Sequence, residues 1–440
     1  MPLDSNRFFQ ACNPIKTLKI ENQEDRQYYI DFSTVRGGDM IQRLHRTIVK
    51  QPQESTCQLF TGHIGCGKST ELFRLKDALL REKFHVVYFE SSADLDMADV
   101  DISDILLAIA HQTSASLEKT GIKLKPGYFA NLFQEIGDFL QTPLEVNSAE
   151  WSLPMGIGKI TAKAKDSPKL RNQLRQYLEP RTSNIMEAIN QEILERATVQ
   201  LRAQGYRGLV VIMDNLDRVD LSVKPSGRTQ PEYLFIDRGE QLNRLNCHVI
   251  YTVPLVLIFS NELSTLSNRF GVKPVVLPMV MVRHRDGSDC LEGMALMRQM
   301  VLARAFPELN PVARLDQIQA VFDSPETLDR LCRTSGGHVR NLLVLLYSCL
   351  QQEDPPIQRD TLEAVIREYR DDLIAAVNDS EWTLLCQVLQ QQESVRGEDE
   401  YQTLLRSMFL FEYRDLEGRW FDINPALAES KKYQEWMKTR

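Results

Sequence analysis

Short runs of consecutive apolar residues alternate along the first 290 positions with longer stretches in which apolar residues recur every three or four places. The runs at 57–62, 85–92, 209–213, 248–259 and 274–282 are continuous rather than alternating, the pattern of strands covered on both faces. Between them the period is helical. Met40, Ile41, Leu44 and Ile48 share one helix face, and further helices are predicted over 68–82, 102–119 and 182–204. Strands of this kind separated by helices predict an α/β fold with a parallel sheet flanked by helices. From Gly293 the pattern is helical to Val377, punctuated by Pro307, Pro311, Pro325 and Pro355. The last sixty residues change again: 381–391 and 400–410 predict helices, and 411–423 two short strands around Gly418, together a small winged-helix-like module.

The stretch 121–181 follows neither period. With prolines at 126, 143, 154, 168 and 180, an alternating piece at 157–165 and a basic run, it predicts an irregular insertion. The chain therefore divides into an N-terminal segment (1–55) leading into a core (56–285) that carries the insertion, a helical lid (286–377) and the C-terminal module (378–440).

A hydrophobic share of 43% and a charged share of 25% over 440 residues exclude fibrous and disordered classes. A net charge of -8 argues against a surface that binds nucleic acid throughout. Locally, Lys159, Lys163, Lys165, Lys169, Arg171, Arg175 and Arg181 face only Asp166 and Glu179, which reads either as a nucleic-acid or acidic-partner contact or as a solvated amphipathic face. The eight cysteines show no C-x-x-C pair and no histidine at ligand spacing, as expected of reduced thiols in a cytoplasmic protein. The start of the chain has no secretion-signal pattern, and the greasiest stretch, 249–259, is interrupted by Thr252 and Pro254 and is too short to span a bilayer, so no membrane role is expected.

One motif carries sharp chemistry. Gly62-His63-Ile64-Gly65-Cys66-Gly67-Lys68-Ser69 fits G-x-x-x-x-G-K-[ST] between a predicted strand and a predicted helix. Glycines let successive N–H groups turn toward phosphate oxygens, and the helix amino end adds partial positive charge. Lys68 suits the β- and γ-phosphates, Ser69 a Mg²⁺ ion and Thr70 the α-phosphate. The run 209–213 then ends in Asp214, a carboxylate at the sheet edge that can hold Mg²⁺ through water.

Asp214-Asn215-Leu216-Asp217-Arg218 resembles the strand-end motif of the STAND and KAP branches of P-loop ATPases, relatives of the AAA+ proteins. The resemblance spans 35–346 and implies ATP and Mg²⁺ as cofactors, with Asp214 serving the metal and Asp217 orienting or deprotonating the attacking water. The chain departs from AAA+ proteins at Asn215, where they carry a glutamate. Asparagine cannot take a proton, so either Asp217 does that work or hydrolysis is slow. KAP proteins often carry membrane segments, and none is visible in this sequence. By the same resemblance Thr252 takes a sensor position, Arg269 that of an arginine finger reaching a neighbouring subunit, and Arg340 that of the second sensor of origin-recognition-type AAA+ initiators. An ordinary strand threonine and a helix-end cation remain the alternatives for Thr252 and Arg269. The turn around Arg36 corresponds to one that packs near adenine in related ATPases.

Three functional readings stay open. The first is an ATP-dependent molecular switch or assembly ATPase, homo-oligomeric and with an unidentified protein partner, which the resemblance connects with bacterial signalling or antiphage defence. The second is an ATP-dependent DNA-binding or loading regulator, thinly supported because Arg406 is the sole basic residue of the candidate recognition helix at 401–410. The third is a nucleotide-bound scaffold with negligible hydrolysis.

Overall fold

The computed structural model describes residues 2–124, 127–139, 152–391 and 399–438. Its five central strands are β1 (Cys57–Gly62), β2 (Phe84–Glu90), β3 (Gly208–Asp214), β4 (His248–Thr252) and β5 (Val275–Leu277). They lie in the order β2-β3-β4-β1-β5, with every pairing parallel. All residues of β1, β3 and β4 are buried, which is why their runs are continuously apolar. The pleat sends Leu59, Val87, Val211 and Val249 into the core shared with helix Ile102–Lys119. Phe60, Val86, Val210, Ile212 and Ile250 go to the opposite face, under helices Met40–Lys50 and Lys68–Arg81. From β1 the chain leaves for β2 at one edge, whereas β5 returns on the other side of β1. The strand order thus switches at β1, and such sheets bind ligands at the carboxyl ends of the strands there.

Proline explains where the strands stop short of expectation. β4 ends at Thr252 and Leu255–Ile258 forms a 3-10 turn, because Pro254 supplies no N–H to a ladder. β5 keeps only three residues, bounded by Pro274 and Pro278.

The stretch expected to be irregular is mostly helical where it is described, with helices Tyr128–Phe139, Leu153–Asp166 and Pro168–Leu178. Pro154 and Pro168 sit in first helical turns, where a missing N–H is harmless, so they mark helix starts rather than breaks. Pro126 and Pro143 lie outside the described residues. The basic run is largely directed inward. Arg171 pairs with Asp96, Arg175 with Asp99 and Asp104, and Lys165 donates to the Ser92 and Ala93 carbonyls at 2.8 and 2.7 Å. Arg181 stacks over the Tyr177 ring.

Helices Leu291–Ala305, Pro325–Thr334, Val339–Leu350 and Arg359–Ala376 build a second core, and Phe8, Cys12 and Phe32 from the start of the chain pack into it. Leu18 and Tyr28 pack beside Phe73 of helix Lys68–Arg81. The N-terminal segment thus bridges the helical layer and the sheet domain. Among the described residues no helix is long and apolar enough to cross a membrane.

At the other end, helices Asp379–Gln391 and Asp399–Arg406 precede an antiparallel hairpin, β6 (Leu410–Asp415) and β7 (Gly418–Ile423). The helix expected to reach residue 410 stops at Arg406, and Met408 turns the chain with a φ of 62°. The hairpin is anchored. Phe411, Tyr413 and Trp420 join the core under Met40–Lys50, the Glu412 carbonyl accepts from Met279 N–H at 2.9 Å, and the Tyr413 hydroxyl donates to the Gly336 carbonyl at 2.6 Å.

The sheet domain meets the helical layer at Gly337, whose φ is 73° and whose carbonyl accepts from Val280 N–H at 3.3 Å. A Cβ there would stand 1.7 Å from the Val280 carbonyl oxygen. Gly337→Ala is therefore expected to cost about 2–4 kcal/mol from strain and overpacking. A thermal melt of the variant checks this, and a midpoint within a degree of wild type contradicts the close approach.

Candidate functional site

β1 feeds directly into the loop 62–67, which opens the helix beginning at Lys68. Gly65 has a φ of 87°, and a Cβ on it would lie 2.9 Å from both the His338 ring and Arg340 Cβ, so the loop needs glycine for conformation and for space. Gly67 caps the helix in the left-handed region, leaving the first N–H groups of the helix without a side-chain cap. Lys68 curls back over the loop. Its ammonium donates to the Gly62 and His63 carbonyls at 2.8 and 2.9 Å and pairs with Asp217 at 3.0 Å. Burial works to depress its pKa, but the Asp217 charge offsets this and the value stands above that of an ordinary lysine.

β3 ends at Asp214, which is 1% exposed. One of its oxygens accepts from Tyr88 O–H at 2.7 Å and the other from Asn215 N–H at 2.7 Å. The Ser69 side chain lies beside the same Tyr88 hydroxyl, which therefore stands between the two residues expected to serve a metal. Asn215 adopts a φ of 63°, a left-handed conformation asparagine tolerates, and its amide donates to Glu90 at the end of β2 at 3.1 Å. The turn Leu216–Arg218 then carries Asp217 over the loop. Its carboxylate is 5% exposed, and the oxygen Oδ1 is buried without a partner among the described residues.

Thr252 braces that turn. Its hydroxyl accepts from Leu216 N–H at 3.0 Å and lies 3.5 Å from the Met213 carbonyl, fully buried. Thr252, expected at a sensor position, is not among the residues that line the cleft, and its hydroxyl supports the turn that carries Asp217.

The cleft opens directly over the loop that follows β1. Its floor is Ile64–Thr70 together with Asn215, Asp217 and Arg218. Ile15, Leu18, Phe32, Met300 and Leu343 make an apolar wall. Arg36 reaches the loop, donating to the Cys66 carbonyl at 2.7 Å and stacking on Phe32. Cys66 turns its own thiol away, toward the Leu277 carbonyl at 3.8 Å. From the helical layer, Arg340 lines the cleft while its N–H donates to the Gly65 carbonyl at 3.1 Å. Arg269 is not part of this cleft. It closes helix Leu263–Phe270 on the outside of the sheet, 34% exposed and 3.8 Å from Glu240.

Two histidines with no recognisable spacing complete the arrangement. His338 Nδ1 accepts from Asn341 N–H at 3.0 Å, so the proton lies on Nε2, which donates to the Ile64 carbonyl at 2.8 Å. His63 Nε2 accepts from Glu412 N–H of the hairpin at 3.1 Å. Phe411 packs against both rings, with centroids 6.1 Å from His63 and 5.9 Å from His338. Gly62 and His63 accordingly line a second cavity beside the cleft, together with Pro254, Leu405 and Arg406.

No protein-family model matches this chain, and no curated protein matches it by sequence. Among solved structures it is similar to the ORC2 protein of Aeropyrum pernix in ADPNP and ADP complexes, with 12% identity, TM-score 0.41 and coverage of 99% of this chain and 98% of that one. It is also similar to a Walker-type ATPase of Pyrococcus abyssi, at 11% identity, TM-score 0.43 and coverage of 95% and 98%. A third is Cdc6p from Pyrobaculum aerophilum, at 11% identity, TM-score 0.40 and coverage of 100% and 99%.

Burial lowers the pKa of His63 to about 3 and those of His338 and His248 to about 4. An unfolded histidine titrates near ~6.5, so between that pH and about 4 the unfolded chain binds protons that the native state refuses, and stability falls as pH drops. Glu412, pushed up by burial to about 7, acts in the opposite sense, as do Glu71, Asp104 and Asp422, whose carboxyl pKa values burial also raises. Between pH 7 and pH 5 wild type is expected to lose thermal midpoint relative to His338→Gln, because only wild type keeps this buried neutral imidazole. Identical slopes for the two proteins would contradict a buried neutral His338.

Proposed function

We propose that the chain is an ATP-binding P-loop ATPase of AAA+ type, in which nucleotide sets the contacts among the core (56–285), a helical lid (286–377) and the C-terminal module (378–440). The observation that carries this reading is the convergence of Lys68, Asp217 and Arg340 on one cleft around the loop. Loop and helix N–H groups favour an anion there. Lys68 exchanges the Asp217 carboxylate for the β- and γ-phosphates, and Arg340 meets the γ-phosphate from the lid. Asp217, released from Lys68, orients and deprotonates the attacking water. The apolar wall suits a purine ring, and adenine is the reading adopted.

The residues present fit Mg²⁺. Ser69 and Asp214 offer hard oxygen donors on either side of the Tyr88 hydroxyl. Among the described residues no group of three or more His, Cys, Asp or Glu could hold a metal, in keeping with an ion whose other ligands are phosphates and water. When bound, Mg²⁺ supplies charge neutralisation across the β- and γ-phosphates.

Arg269, outward-facing and half-buried, supports the homo-oligomeric form of this reading, in which it reaches a neighbour's nucleotide. The DNA-loading alternative rests on Lys159, Lys163 and Lys169, because the other four basic groups of that run are engaged within the chain. Asn215 remains the basis of the scaffold alternative.

Phosphate release from ATP with Mg²⁺, followed across protein concentration, tests the reading. Asp217→Asn is expected to lower kcat by roughly 10²–10⁴ while keeping ATP binding, and Lys68→Ala to remove both. Arg269→Ala is expected to abolish the rise of specific activity with concentration. Wild-type turnover equal to that of Lys68→Ala, despite tight ATP binding, would overturn the ATPase in favour of the scaffold.

A further inference from the structure

We infer that Arg218 is a ligand of the terminal phosphate, and that with Arg340 it makes the cleft select nucleoside triphosphate over diphosphate; this rests on the nucleotide reading of the site.

Arg218 ends the turn that carries Asp217, and its N–H donates to the Asn215 carbonyl at 3.1 Å. Since Thr252 pins the same turn through Leu216, the backbone beneath the guanidinium is fixed. Arg218 lines both the cleft and the second cavity, which also touches Gly62, His63 and Ile64. It therefore lies by the start of the loop. The inner phosphates are served from the opposite end, by Ser69 and Thr70 at the helix amino terminus.

The charge arrangement points the same way. Several arginines elsewhere meet carboxylates: Arg74 pairs with Asp39 and Glu71, Arg285 with Asp415, Arg330 with Glu363 and Glu429, and Arg333 with Asp289. Around the cleft this matching fails. Among the described residues neither Arg218 nor Arg340 makes an ion pair or a side-chain hydrogen bond, and the nearby carboxylate, Asp217, is held by Lys68. Burial and then repulsion from Arg218 lower the pKa of Arg340. Arg218 is exposed and Arg340 partly buried, so two like charges border one cleft with no carboxylate paired to either, an arrangement that favours a ligand carrying several negative charges at that place. A diphosphate ends short of it.

Calorimetric titration of ADP and of a non-hydrolysable ATP analogue, each with Mg²⁺, into wild type, Arg218→Ala and Arg218→Lys separates the possibilities. Arg218→Ala is expected to weaken the triphosphate analogue roughly 10- to 100-fold and to leave ADP within about twofold, as one charge-assisted contact to the terminal phosphate implies. Arg218→Lys should fall between, keeping the charge but losing the planar fork. Unchanged ADP affinity also reports that the variant is folded. Equal losses for the two nucleotides, or no loss for either, would overturn the role of Arg218 while leaving the nucleotide site standing. A wild-type protein that binds neither nucleotide would overturn the site itself, and the inference with it.

Discussion

Five successive carbonyl oxygens of the loop, from Gly62 to Cys66, each accept a hydrogen bond, and the donors come from several distant parts of the chain. Lys68 takes the first two, the His338 ring the third, the Arg340 backbone the fourth and Arg36 the fifth. A trans peptide points its N–H opposite to its carbonyl, so a loop gripped by its carbonyls presents N–H groups on its other side, where an anion is favoured. The helical layer, the N-terminal segment and the sheet domain thus all depend on one six-residue loop. The hairpin joins through His63 rather than through a carbonyl.

This dependence ties local chemistry to global arrangement. A phosphate that draws Lys68 off the Gly62 and His63 carbonyls removes two of the bonds that set the loop's shape. The next two carbonyls are held from helix Val339–Leu350, and the His63 ring is held by β6. A small change in the loop therefore acts at once on contacts made by residues 274 and 349 positions away in sequence. Phe411, packed against both histidine rings, couples those contacts to each other. Such an element can shift the population of two arrangements only by the difference in ligand affinity between them.

Much of the sheet was legible because burial on both faces leaves continuous apolar runs, as in β3. The phosphate loop and Asp214 were legible because their chemistry fixes residue types at fixed spacing. Other features depend on tertiary context that no period records. The 121–181 stretch looked irregular because its prolines were read as breaks, whereas Pro154 and Pro168 begin helices. Thr252 stands at the expected place on its strand, but only the fold reveals that Leu216 N–H occupies its hydroxyl. The His338 ring and the apolar wall of the cleft are not legible in the sequence, because isolated side chains such as Ile15, Leu18, Phe32, Met300 and Leu343 leave no motif. The basic run suggested an outward surface because the sequence does not show Asp96, Asp99 and Asp104 facing it.

The central claim is that ligand at the loop is felt by the helical layer and the hairpin together. Hydrogen exchange of the full chain, with and without ATP and Mg²⁺, measures this directly. The account predicts altered protection in three places at once: the loop at 62–70, the first turns of helix Val339–Leu350, and β6. Changes confined to 62–70, with 338–350 and 410–415 exchanging at their nucleotide-free rates, would contradict it.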